Sequence, residues 1–122
     1  MPFIPTIDGA AVLQTSVTVT ATTNSTALDL GLGFDASDSI GQLICGVVEV
    51  TAGTFASHTY NYRLQESADG TTNWRDVSPS VAATAIGVVV VKAIVVQRFI
   101  RLVMTATGAT PSISHNANVG IL

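Results

Sequence analysis

Short runs of strictly alternating character, filled with residues branched at Cβ, constrain this chain more than any other feature. Ser16-Val17-Thr18-Val19-Thr20-Ala21-Thr22 alternates at period two, with Val17, Val19 and Ala21 expected to face inward. His58 to Glu66 sets Tyr60, Tyr62 and Leu64 against Thr59, Asn61, Arg63 and Gln65. Phe99 to Thr107 sets Ile100, Leu102 and Met104 against Phe99, Arg101 and Val103. Period two is the repeat of a strand with one buried face, and branching at Cβ favours the pleated backbone. The chain holds 16 Val, 9 Ile and 16 Thr among 122 residues, but only one Lys and two Glu. So few straight-chain helix formers leave little from which to build helices. Disorder is equally disfavoured, because 48% hydrophobic residues supply ample burial.

The remaining segments fit the same reading. Leu28-Asp29-Leu30 reads as a short strand, followed by a Gly/Asp/Ser loop from Gly31 to Ser39. Gln42 to Thr51 is apolar at both parities, as in a strand covered on both sides. Asp69-Gly70 between two strand-like runs signals a hairpin, and Trp74 to Val77 returns from it until Pro79. Ile86 to Val91 is nearly pure valine, and Ser112 to Leu122 closes the chain with Ile113, Ala117, Val119 and Ile121 on one parity. Seven to nine short strands with turns every eight to twelve residues predict an all-β, antiparallel β-sandwich, jelly-roll or immunoglobulin-like. Residues 1–7, bracketed by Pro2 and Pro5, read as an extended N-terminal arm, and residues 8–122 as a single domain.

Charge excludes several classes of partner. The net charge is −3 with five basic residues, too few for the cationic footprint that nucleic acids or anionic lipids require. The N-terminus has no basic region preceding an apolar run and does not read as a signal peptide. Between Val81 and Val91 the charge-free apolar stretch is about half of what spans a bilayer, so no membrane association is expected. Cys45 stands alone in an apolar run and reads as a small buried hydrophobe, as suits folding in a reducing cytoplasm.

Reactive chemistry is sparse. His58 and His115 are the sole candidate bases, and both read as surface or loop-stabilising residues. No nucleophile elbow, paired-histidine metal motif or phosphate loop occurs. Asp29, Asp35 and Asp38 crowd one loop where calcium is conceivable, although such aspartates ordinarily bond their own turn. Glu66 and Asp76 flank the hairpin and read as a charged pair at a solvated strand end. No catalytic residue, metal site or cofactor is therefore expected, and the chain does not read as an enzyme.

Two resemblances attach to the hairpin. Ser67-Ala68-Asp69-Gly70-Thr71-Thr72-Asn73-Trp74 resembles the Asp-box turn of sialidase-type propellers, departing from it by placing Gly directly after Asp. That box is structural and implies no catalytic group. The wider segment Tyr60 to Val77, with Leu64-Gln65-Glu66-Ser67, Asp69-Gly70, Trp74 and Asp76-Val77, resembles the hairpin of small tailed-phage structural proteins. Arg98-Phe99-Ile100-Arg101-Leu102 and the Pro111-Ser112 turn resemble the strand that follows it there. The likeness covers residues 58–77 and 98–113 and implies a virion β-sandwich on the outer capsid surface. In particular it implies a capsid decoration (cement) protein that trimerises and clamps neighbouring copies of the major capsid protein. A head fibre or tail protein is the alternative within the virion.

Physical chemistry supplies further expectations. An uncovered run such as Val88 to Val91 and Ile94 to Val96 would be prone to aggregation, so symmetry mates are expected to cover part of it. Pro2, Phe3, Ile4 and Pro5 in the arm, together with Arg63 and Arg101, are the interface candidates. A rival reading is an extracellular carbohydrate-binding or adhesion module. It would need Tyr60, Tyr62 and Trp74 as an exposed aromatic platform, whereas their alternation favours the core and hairpin packing.

Overall fold

The computed structural model describes residues 12–30 and 42–121, so the arm lies outside the described residues. The alternating segments become strands that pack as two antiparallel sheets, a β-sandwich. One sheet runs in the order β1 (Val12–Val19), β10 (Ile113–Ile121), β4 (Gln42–Gly53), β8 (Gly87–Val95). In the facing sheet β9 (Phe99–Thr107) and β5 (Thr59–Ser67) are the central pair. Two short strands, β2 (Thr23–Asn24) and β3 (Leu28–Asp29), follow one another along the free side of β9. Along the free side of β5 lie β6 (Arg75–Asp76) and β7 (Val81–Ala82). The ten strands among the described residues slightly exceed the seven to nine expected, because each outer strand of this sheet is split in two.

Both interruptions are repaired by a serine. Ser25, between β2 and β3, donates its N–H to the Leu102 carbonyl and accepts the Leu102 N–H on Oγ, both at 2.8 Å. Ser78, between β6 and β7, accepts the Leu64 N–H at 2.9 Å while Val77 donates to the Leu64 carbonyl at 3.0 Å. A hydroxyl thus replaces a ladder partner where the outer strand breaks, and the buried backbone stays satisfied.

Between the sheets lies one core. Tyr60, Tyr62, Leu64, Ile100, Leu102 and Met104 meet Ile44, Val48, Val50, Val91, Val95, Ile113, Ala117 and Val119. Several expectations need correction. Ala21 is exposed, because β1 ends at Val19 and the chain bends at Thr20. Gln42–Gly53 is fully covered on one face only: Ile44, Val48 and Val50 are buried, while Leu43 is exposed and Cys45 and Val47 are half-buried. His115 shares the parity of Ile113 and Ala117 and is completely buried, donating to or accepting from Tyr62 Oη at 2.9 Å through Nδ1.

Candidate functional site

Glu66 is also completely buried, so the expectation of a solvated pair with Asp76 fails. Its Oε1 accepts the N–H groups of Val96 (2.9 Å) and Gln97 (3.1 Å), and its Oε2 accepts Arg75 Nε at 2.6 Å. Val96 and Gln97 form the passage from β8 in one sheet to β9 in the other. The carboxylate therefore ties the hairpin to a crossover between sheets, a structural duty that consumes its acceptors.

At the hairpin tip, Asp69 Oδ1 accepts the Thr71 and Thr72 N–H groups at 3.0 and 2.9 Å, and Oδ2 accepts Thr72 Oγ1 at 2.6 Å. These bonds, led by the Thr72 hydroxyl, hold the Asp69 carboxyl well below the usual carboxylate range. Gly70 has φ 78°, and a Cβ there would sit 2.9 Å from the Phe99 ring, so glycine is required twice over. The turn is rigid and its groups are spent on its own backbone.

This hairpin presents a polar face on the outer side of β5 and β9. Arg63 Nε and Gln65 Nε2 both donate to Asp76 Oδ1 at 2.9 Å, and Arg101 Nε donates to Gln65 Oε1 at 2.9 Å. Arg63 Nη1 reaches Thr105 Oγ1 at 2.9 Å. The Arg101 guanidinium lies 4.3 Å from the Trp74 ring centroid, a cation–π stack. Bonds from Gln65, then Arg63, lower the Asp76 pKa, while partial burial, then the Arg63 charge, lowers that of Arg101. Asp76 pairs with Arg63 alone among the described residues, while Arg101 bonds only the neutral Gln65 amide, which leaves the face locally cationic. Among the described residues, the terminal nitrogens of Arg101 have no hydrogen-bond partner, and an outside acceptor can take them.

Sequence reasoning named Arg63 and Arg101 separately, and the fold brings them together. It set Gln65 on the outer parity and paired Asp76 with Glu66, and so did not see that Gln65 faces Asp76 across the hairpin, a pairing readable only once the turn length was known. Pro2, Phe3, Ile4 and Pro5 lie outside the described residues, as do Asp35 and Asp38 of the suggested calcium loop. Asp29 is engaged bidentately by Arg98 at 2.6 Å on both oxygens. Among the described residues no cluster of three metal-binding side chains occurs. His58 accepts the Thr110 N–H at 3.4 Å and borders a hollow of about 160 Å³ with Phe55, Tyr60, Asn61 and Ala83. That volume is below the range of small-molecule sites. Tyr60 and Tyr62 are buried, and Trp74 carries Arg101 on its ring, so the three aromatics form no open platform.

No protein-family model matches the chain, and no curated protein matches it.

Proposed function

We propose that this protein is a structural component of a tailed-phage virion, a capsid decoration (cement) protein that oligomerises and bridges subunits of the major capsid protein. The observation that carries this reading is the spatial union of the two segments resembling phage structural proteins. Residues 58–77 and 98–113 are separated in sequence, yet they supply β5, β6 and β9, adjacent strands of one sheet. The resemblance thus maps to one continuous surface, the face that holds Arg63, Arg101 and Trp74 in fixed positions. Preorganised arginine and tryptophan are the side chains that most often anchor protein interfaces. A charged fraction of 11% also suits a molecule that works packed against others. Retention on a particle then comes from many modest contacts made together.

The test is rebinding of the purified chain to heads of its virus from which accessory protein has been stripped. Saturable attachment at repeated sites on the head is expected. Absence of attachment, or localisation by imaging to the tail alone, removes the cement assignment.

A further inference from the structure

We propose that the edge of β8, unpaired among the described residues, pairs antiparallel with β8 of a second copy of this chain, about a two-fold axis through Val90. The four sheet edges differ in how they are protected. β1 carries two register shifts against β10; β2 with β3, and β6 with β7, are broken into two-residue pieces, and Pro79 falls in the second break. Such interruptions blunt an edge against further pairing. β8 has none of them. Its nine residues pair with β4 in unbroken register from Gly87–Val50 to Val95–Gln42, and its outer side chains are exposed: Val88 63%, Val90 41% and Ile94 55%.

The exposed row is apolar but for one charge. Along the strand the alternate exposed residues are Val88, Val90, Lys92 and Ile94. A dyad at Val90 sets Val90 against its own copy and Lys92 opposite Val88 of the partner subunit. Charge then selects this register. Glu49 on β4 is the direct neighbour of Val88, on the same exposed face. Asn116 Nδ2 donates to its Oε1 at 3.2 Å, which leaves Oε2 for a cation. In the pair, Lys92 lies two strand spacings, about 10 Å between backbones, from Glu49 of the partner subunit. Its four-carbon stem crosses the Val88 methyls and brings the ammonium to that carboxylate, twice per dimer by symmetry. Shifting the dyad to Val91 moves Lys92 opposite Val90, away from Glu49, and shifting it to Lys92 opposes two like charges. The correct register also makes one apolar band of Val47, Val90 and their symmetry mates across an eight-stranded sheet.

This contact is two-fold and closed, so it is independent of the polar face described above and is read without any capsid. Sedimentation equilibrium of the full chain should show a dimer. Val90→Lys should raise its dissociation constant by roughly tenfold or more, as should Lys92→Glu, while Lys92→Glu combined with Glu49→Lys restores association. Register is read by oxidation in a Cys45→Ala background: Val90→Cys should form a disulfide-linked dimer, Val88→Cys should not, and a mixture of Val88→Cys with Lys92→Cys should. Retained circular dichroism and thermal transitions show that these exposed positions leave the fold intact. A monomer at all concentrations, a trimer in which the Val90→Cys variant does not cross-link, or equal linking of the Val88→Cys and Val90→Cys variants overturns the proposal.

Discussion

The inward-facing His115 is held neutral by burial, which lowers its pKa from the ordinary value of 6.5. The unfolded chain therefore takes up this proton at a higher pH than the native one. Stability is full above about pH 6.5 and falls as the pH drops toward the lowered native value, by at most about 1.4 kcal/mol per pH unit. Denaturant titrations at pH 8 and pH 5.5 should show the loss, and His115→Gln should abolish it. Tyr62→Phe removes the hydroxyl that meets Nδ1 and should cost about 1–3 kcal/mol at neutral pH, measured by the shift of the denaturant midpoint. Asp69 and Asp76, whose pKa values are lowered by hydrogen bonds, act in a separate window: their contribution is present above about pH 4 and is lost in stronger acid.

At the level of strands and turns, the hairpin between β5 and β6 is a rigid unit fastened to the rest of the sandwich through Glu66. Removing that carboxylate strands the Val96 and Gln97 N–H groups and leaves Arg75 without its partner. Arg75 is itself solvated, so Glu66→Ala acts mainly through the two backbone donors and should destabilise the domain by about 2–4 kcal/mol, a large share of the stability of a domain this size. Calorimetric melting measures the loss directly. Glu66→Gln keeps one acceptor oxygen for the backbone donors and should cost less. The split outer strands are a second device of this kind. Ser25 and Ser78 let the edges of one sheet be short, and hence unreceptive to strand addition, without leaving Leu102 or Leu64 unpaired.

Across the entire domain, the two sheets present unlike outer surfaces. One is cationic, hydrogen-bonded and fixed by the hairpin; the other carries an apolar row along an unprotected edge. On the proposed virion role, the first surface attaches to the particle and the second to further copies of the chain. Arg101→Ala and Trp74→Ala should each weaken head binding by about tenfold or more, the scale of an interface hot spot, while leaving self-association unchanged. Binding curves on stripped heads measure the first effect and sedimentation the second. Deleting residues 1–7, the arm read from Pro2 and Pro5, should loosen attachment without altering the melting temperature; equal attachment of the truncated chain dismisses the arm.

That the chain is all-β, and where its clearest strands run, was legible in the residues alone, because alternation at period two is a local property that each segment carries by itself. So was the inward parity of Tyr60, Tyr62 and Leu64, where the opposite parity is polar and only one face can enter a core. Where both parities are apolar, as in Gln42–Thr51 and Ile86–Val91, alternation is silent about which face is covered. Only packing against the second sheet sends Val89 and Val91 inward and leaves Val88 and Val90 exposed. The same holds for polar residues whose partners are remote in sequence. Glu66 and His115 read as solvated or loop residues because the Val96 and Gln97 amides and the Tyr62 hydroxyl reach them only after the sheets close. Burial of a polar group is decided by what arrives to satisfy it, and that arrival is a tertiary event.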